Sequence, residues 1–356
     1  MSKERTIDPK MFRAVQKFLR NRETELRTAL SLLSPGCGVP ESGMGTVPPA
    51  EWVLERPSGG TTSQVFFARR REAPQESAPL CCVRAFRRRS SWLHYRESLR
   101  RLEDHAICAP RLLGASRDRF GWLPGPWLLA ESFVDGPLLR DVPLVTEVAR
   151  QVGESLALLH TPTAPWFEAM GHRYPPKDYA PRLLKKARRR IGRLLQAPRP
   201  RLPGDAEVSE ELDSFERWLE KRFARWTPPD RFPLTHSALD DDDMIWLSKR
   251  SEVAWLDLGR MGHDHRGFDL VMIRRRLELR GGAAAAGLLS AFDQGYWSLA
   301  GEAEQTRWSR EEPLFDALRA LAHWTSVLKS TRYSGPEEKQ HEILQAREII
   351  RRCVEN

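Results

Sequence analysis

The chain has 356 residues, 40% of them hydrophobic, and a formal net charge of +9. That length exceeds what one hydrophobic core usually serves, so two lobes or domains are expected, with enough apolar content to bury both. No apolar run reaches the length of a membrane span, and the start, MSKERTIDPK, lacks the apolar region of a signal peptide, which points to the cytoplasm.

Residues 8–34 carry apolar side chains at helical spacing (Met11, Val15, Phe18, Leu19, Leu26, Leu30, Leu33), and SPGCGVPESGMGTVPP then breaks the pattern. Residues 1–50 are read as a helical extension and loop. From 52 to 135 the runs WVLE, QVFFA, LCCVRAF and WLLAESFV read as strands, with the helical segment YRESLRRLEDH between the third and fourth. This gives a small β-rich N-lobe over 51–136.

From 140 onward the periodicity is mainly helical: TEVARQVGESLALLH, a basic amphipathic stretch at 179–196, ELDSFERWLEKRFARW, DLVMIRRRLEL, AAAAGLLSAFDQGYWSLA and a long C-terminal pair from 313 to 353. One strand pair near 244–257 interrupts these helices. Residues 137–356 are therefore read as a helical C-lobe, and the whole as α+β. The five cysteines (Cys37, Cys81, Cys82, Cys108, Cys353) show no metal-ligand spacing and read as reduced, mostly buried thiols.

The positive charge is clustered in ARRR (68–71), RAFRRR (84–89), LLKKARRRIGRLL (183–195) and MIRRRLELR (272–280). Such faces are commonly just solvated, and they suit anionic partners. Nucleic acid is disfavoured, because no aromatic residues are interleaved with the basic helix and no binding module is recognisable.

The most informative stretch is THSALDDDDMIWL at 235–247. MIWL (244–247) and VAWLD (253–257) are short β-like runs joined by the polar SKRSE, which suits a hairpin. Such a hairpin brings Asp243 near Asp257, and two carboxylates can hold Mg²⁺ while waters and phosphate oxygens fill its other positions. An EF-hand beginning at Asp241 and ending at Glu252 fails, because Trp246 stands where Gly must turn and Ile245 replaces an oxygen ligand.

HSALDDDDMIWL, followed by WLDLGRMGHDHRGFDL, resembles the catalytic and metal-binding segments of the aminoglycoside phosphotransferase/choline kinase family. The resemblance implies a two-lobed protein-kinase-like fold that binds ATP and Mg²⁺ and phosphorylates a hydroxyl of a small molecule or sugar. In that pattern His236 is the motif histidine, Asp243 stands where the family has a metal-binding Asn, and Asp257 is the second metal ligand. Asp264 and Asp269 fall on the later loop and helix start.

Ala238, natural or engineered, occupies the place of the catalytic Asp. A methyl group can neither orient an acceptor hydroxyl nor take its proton, so the chain is expected to be catalytically impaired. Asp240 is a candidate substitute base. Moving the register to make it the motif Asp would put Ala238 on the histidine and Ile245 on a metal ligand.

The same resemblance implies that Gly59, Gly60 and Thr61 approach the nucleotide phosphates and that Arg84 contacts phosphate with Glu97 as its ion-pair partner. It also implies that backbone around Glu131 to Phe133 meets adenine. His160 reads as a core or capping residue. The histidines of GHDHRG (262–267) read as shaping the site floor, with a metal as the competing reading.

Two alternatives stand beside the enzyme. One is a pseudokinase that binds nucleotide or a protein partner without catalysis. The other rests on WLDLGRM and FDLVMIRRRLE, which also resemble the lipopolysaccharide core kinases and imply an anionic sugar or lipid acceptor at the inner membrane face.

Overall fold

A computed structural model describes residues 9–33, 52–55, 64–71, 79–116, 126–169, 171–196, 205–330 and 336–355. In chain order the elements are α1 (Pro9–Asn21), α2 (Glu23–Leu33), β1 (Trp52–Glu55), β2 (Gln64–Arg70), β3 (Cys81–Phe86), α3 (Arg89–Asp104), β4 (Leu112–Ala115) and β5 (Trp127–Ser132). They continue with α4 (Thr146–Leu159), β6 (Thr163–Ala164), β7 (Phe167–Ala169), β8 (His172–Tyr174), α5 (Tyr179–Gln196), α6 (Asp205–Arg225), β9 (Phe232–Thr235), β10 (Met244–Leu247) and β11 (Glu252–Trp255). The chain ends with β12 (Gly262–His263), α7 (Gly267–Gly281), α8 (Ala285–Ala300), α9 (Glu302–Lys329) and α10 (Pro336–Glu355).

The chain divides into two compact units. One comprises Met1–Pro143 and Asp241–Met261, the other Leu144–Asp240 and Gly262–Asn356. The acidic run is thus shared between them, with Asp240 closing a segment of one unit and Asp241 opening a segment of the other.

The first unit is built on an antiparallel five-stranded sheet in the order β1-β2-β3-β5-β4. One face carries Phe66, Ala68, Cys81, Val83, Ala85, Leu128 and Ala130, packed against Val15, Phe18 and Leu19 of α1 and Leu26 of α2. The opposite side chains of β3, among them Arg84 and Phe86, lie on the face that α3 approaches, where Tyr95 meets both. Because β3 is covered on both faces, all six of its residues are buried, which is why CCVRAF reads as an unbroken apolar run around one arginine.

The hairpin β10–β11 also belongs to this unit, pairing Met244 with Trp255 and Leu247 with Glu252. It is tied to the segment after β5, where Trp246 N–H donates to Pro137 O at 2.9 Å. Gly136 is needed at that approach, since a Cβ there would stand 2.7 Å from Ile245 Cγ2 and 2.8 Å from Trp246 O.

The second unit is predominantly helical. α4 and α8 pack so closely that a Cβ on Gly295 would stand 2.1 Å from Arg150 O. Short strands that the sequence reading did not anticipate join this unit. β9 pairs with both β6 and β12, and β7 pairs with β8. Elements of two to four residues carry too little periodicity to be seen in the sequence. α9 also starts earlier than expected, running through Pro313. Among the described residues no helix is long and apolar enough to cross a membrane. Cys81, Cys82 and Cys353 are buried and free.

Candidate functional site

In the first unit the site centres on Arg84. Its Nε donates to Glu131 Oε1 at 2.6 Å, and Glu131 is only 1% exposed. This corrects the expected Arg84–Glu97 pair. Antiparallel register sets Arg84 opposite Leu129 and Cys82 opposite Glu131, so Arg84 and Glu131 are diagonal neighbours on one face. Glu97 is exposed and pairs instead with Arg101 one helical turn on.

From α3 it is Tyr95 that reaches Arg84, with the guanidinium carbon 4.7 Å from the ring centroid. Burial alone would lower the Arg84 pKa, but the Glu131 carboxylate, aided by Asp257, outweighs it and holds the guanidinium charged. Burial pushes the Tyr95 hydroxyl well up, and the charges of Glu131 and Asp257 add to that. Asp257 therefore lies within electrostatic reach of both side chains. Glu131 Oε2 is buried without a hydrogen bond of standard geometry among the described residues. Among the described residues only the Nε of Arg84 is hydrogen-bonded to a side chain, and its terminal nitrogens are further donors of the kind an anion needs.

The segment after β5 also differs in detail from expectation. Glu131 lies within the sheet between β3 and β4, so its backbone serves the ladders, and Ser132 exchanges hydrogen bonds with Arg111 through its N–H and Oγ, both at 2.8 Å. Phe133, whose ring sits edge-on to Phe67 at 5.5 Å, begins a stretch to Asp135 with no backbone hydrogen bonds among the described residues. Open donors and acceptors thus begin two residues later than Glu131. Gly59, Gly60 and Thr61 lie outside the described residues.

Asp243 and Asp257 bracket the β10–β11 hairpin. Leu256 N–H donates to Asp243 O at 2.7 Å, which fixes the register one residue short of Asp257. Asp257 adopts a left-handed conformation (φ 47°, ψ 53°) that aspartate tolerates better than most residues. Asp243 is half-buried and Asp257 exposed. The donor set is oxygen-only, as a hard divalent cation requires. Among the described residues no group of three or more His, Cys, Asp or Glu could hold a metal. A cation at Asp243 and Asp257 would therefore need water and ligand oxygens, and the histidines of GHDHRG belong to no such group among the described residues. His263 Nδ1 meets Phe232 O at 3.1 Å and His265 Nε2 meets Glu311 at 3.1 Å.

In the second unit a single carboxylate organises the loop that follows β9. Asp269, fully buried at the start of α7, accepts His236 N–H at 2.7 Å and Ser237 N–H at 2.8 Å. His160 Nε2 lies 3.2 Å from the same carboxylate and His160 Nδ1 lies 2.7 Å from the Tyr296 hydroxyl. Burial lowers the His160 pKa despite Asp269, which favours the neutral ring, and a neutral ring facing a carboxylate through Nε2 would donate its Nε2–H there. Ser237 sits at φ 64°, and its hydroxyl is 2.9 Å from Thr235 Oγ1. The backbone of Ala238 is thus held by its neighbours while its side chain, half-buried, offers nothing polar.

Each unit supplies an arginine to its own end of the acidic run. Arg276 Nη2 contacts Asp240 at 2.7 Å, and Arg140 Nη1 contacts both oxygens of Asp242 at 2.8 Å. Asp241 is buried. Asp264 accepts from the Tyr179 hydroxyl and from His265 N–H at 2.7 Å, and burial raises its pKa. The roles of Tyr95, Tyr296, Arg140 and Arg276 were not anticipated from the sequence.

This fold is the kinase-like one. No protein-family model matches the sequence, and no curated protein does. The chain is similar in structure to choline kinase from Cryptosporidium parvum (TM-score 0.56, 13% identity, 85% of this chain and 90% of that one). It is also similar to an ethanolamine kinase from Plasmodium vivax (TM-score 0.55, 13% identity, 97% and 95%). A third likeness is to a spectinomycin phosphotransferase solved with ADP and spectinomycin (TM-score 0.52, 12% identity, 85% and 92%).

Proposed function

We propose that the chain is a kinase-like phosphotransferase-family protein that binds ATP with a divalent cation and is catalytically impaired because Ala238 replaces a carboxylate. The observation that carries this reading is the buried Arg84–Glu131 pair, with two guanidinium nitrogens not hydrogen-bonded among the described residues and Asp257 in electrostatic reach. A buried ion pair that keeps donors for a third group suits the binding of a phosphate anion.

In this reading the open backbone from Phe133 to Asp135 meets adenine, and Arg84 meets phosphate. Asp243 and Asp257 would hold Mg²⁺, which when bound neutralises charge on the phosphate oxygens. His236 and Ser237, clamped by Asp269, set the backbone on which residue 238 is presented to the acceptor hydroxyl. Four of the similar structures are complexes with a nucleotide, ADP, AMP, ATP and GDP respectively, and those with ADP, ATP and GDP also hold an antibiotic. This agrees with a nucleotide and a small hydroxyl-bearing acceptor as the ligands.

A second reading, a pseudokinase, is favoured by Ala238 and by the Arg276–Asp240 contact, which engages the nearest alternative base. The first reading requires nucleotide binding, and so does the pseudokinase unless its ligand is a protein partner. In a thermal-shift titration ATP with Mg²⁺ should raise the melting temperature, and Asp257→Asn should remove the Mg²⁺-dependent part. Absence of any shift with ATP and either Mg²⁺ or Mn²⁺ would sink the first reading and leave only a pseudokinase that binds a protein partner.

A further inference from the structure

Helix α5 carries a row of cations that neither the fold nor the nucleotide reading uses. Its sequence, YAPRLLKKARRRIGRLLQ, holds no acidic residue, and its buried side chains are Tyr179, Leu183, Ala187, Ile191 and Leu194. At about 100° per residue, Arg182, Lys185, Lys186, Arg189 and Arg193 share an arc of about 100° that contains none of those buried positions. All five are exposed. They form one ridge, about 16 Å long at ~1.5 Å per residue.

The ridge is open. Lys185, Arg189 and Arg193, spaced about one turn apart, make no hydrogen bond, ion pair or ring contact among the described residues. A Cβ added to Gly192, beside them, would meet nothing within 4 Å. Arg182 is braced rather than neutralised, its guanidinium carbon 3.3 Å from the Tyr174 ring centroid.

Cations elsewhere in this unit are laced with carboxylates. Arg188, off the ridge on the same helix, reaches Glu216 at 2.9 Å and also Glu220, Arg347 meets both oxygens of Glu211 at 2.8 Å, and Arg351 pairs with Glu348. On the ridge, by contrast, like charges stand four residues apart at Arg182 and Lys186, Lys185 and Arg189, and Arg189 and Arg193, an arrangement that destabilises a helix. A destabilising feature with no structural return points to a partner outside the chain.

The side chains on offer narrow that partner. Protein interfaces centre on apolar and aromatic anchors and are poor in Lys, and among the described residues no exposed large hydrophobic side chain lies on α5. Single-stranded nucleic acid is held by stacking on aromatic rings, and the one aromatic residue of α5, Tyr179, is buried. A bilayer surface asks for charge alone, and clusters of roughly four to eight Lys or Arg on an amphipathic helix bind anionic headgroups. Because the core takes up the apolar face of α5, the helix would lie on such a surface without inserting.

We propose that the α5 ridge docks the protein on a bilayer surface rich in anionic phospholipid. The docking is independent of nucleotide binding.

The test sediments the full chain with vesicles of phosphatidylcholine, alone or mixed with phosphatidylglycerol, at low and high salt. Binding is expected with the anionic vesicles only, and it should fall steeply as salt rises. Near an anionic membrane each Lys or Arg contributes roughly fivefold in affinity, so Lys185→Gln/Arg189→Gln/Arg193→Gln should weaken binding about 100-fold. Its melting temperature should not fall, since only exposed and mutually repelling charges are removed. Arg217→Gln/Lys221→Gln/Arg225→Gln takes the same number of exposed charges from α6 and should weaken binding far less. No binding to anionic vesicles, or equal binding to neutral ones, overturns the proposal. Equal losses in the two variants overturn the location. If duplex DNA binds with the same dependence on the ridge while the vesicles do not, the membrane assignment is overturned in favour of nucleic acid.

Discussion

In the first unit a buried arginine and glutamate face each other across adjacent strands, and among the described residues only one of the arginine's nitrogens is hydrogen-bonded. In the second unit a buried aspartate spends its carboxylate on two backbone N–H groups and a neutral histidine, and the residue it helps to position is an alanine. On the proposed reading, the support of the loop is therefore intact where a catalytic carboxylate has been replaced. Support and chemistry are separable here, because the clamp acts on the main chain of residues 236 and 237 and is indifferent to the side chain at 238.

The largest effect should come from restoring that side chain. Ala238→Asp places a carboxylate on a loop already held in place, and general-base catalysis contributes roughly 10²–10⁴-fold in rate. Phosphate transfer from ATP, measured over a panel of sugar and amino-alcohol acceptors, should rise by that order over the parent chain. A variant that binds ATP yet shows no gain would favour the pseudokinase reading.

Next in size is the first unit's own pair. Glu131→Ala leaves Arg84 charged and buried without its partner, a change that costs about 3–5 kcal/mol in comparable sites. Urea unfolding should show a loss of that size, and a loss below about 1 kcal/mol would mean that the pair is not buried as described. Asp269→Ala should cost about 2–5 kcal/mol by orphaning one buried and one part-buried N–H group. It should also abolish any turnover gained by Ala238→Asp, whereas the Glu131 variant should be read first in nucleotide affinity.

How much of this could be read from the sequence follows from how local each feature is. The β10–β11 hairpin was legible because two short runs rich in apolar and aromatic residues flank a polar turn, and α5 because Leu183, Ala187, Ile191 and Leu194 repeat at helical spacing. The partner of Arg84 was not, since pairing it with Glu131 requires knowing that β5 lies beside β3, 47 residues away in sequence. A signal against Glu97 was nevertheless present. Trp92, Tyr95, Leu99 and Leu102 define the buried face of α3, and Glu97 falls off it. The His160–Tyr296 contact spans 136 residues and left no local trace.

Acid should separate the units further. In the second unit burial would raise the Glu311 pKa, but His265, Trp226 and Arg307 outweigh it and hold the carboxyl at about 2 against an ordinary 4.5. The resulting stability is present in full above the unfolded value and is lost as the pH falls from about 4.5 toward 2, roughly 3 kcal/mol in all. Glu311→Gln should flatten the stability profile in that window. An unchanged slope would show that other carboxylates govern acid unfolding.

The smallest effect should come from the acidic run itself. Arg140 and Asp242 meet at 2.8 Å, but their side chains are 51% and 56% exposed, so water and salt screen the attraction and ordering two mobile side chains offsets much of it. Asp242→Ala should cost below about 1 kcal/mol, and less still as salt is added. It also removes one member of a like-charged run, which works in the opposite direction. If unfolding measurements instead gave a loss comparable to that of Glu131→Ala, the acidic run would have to be counted as structural. The contrast between the buried Arg84–Glu131 pair and the exposed Arg140–Asp242 pair would then fail.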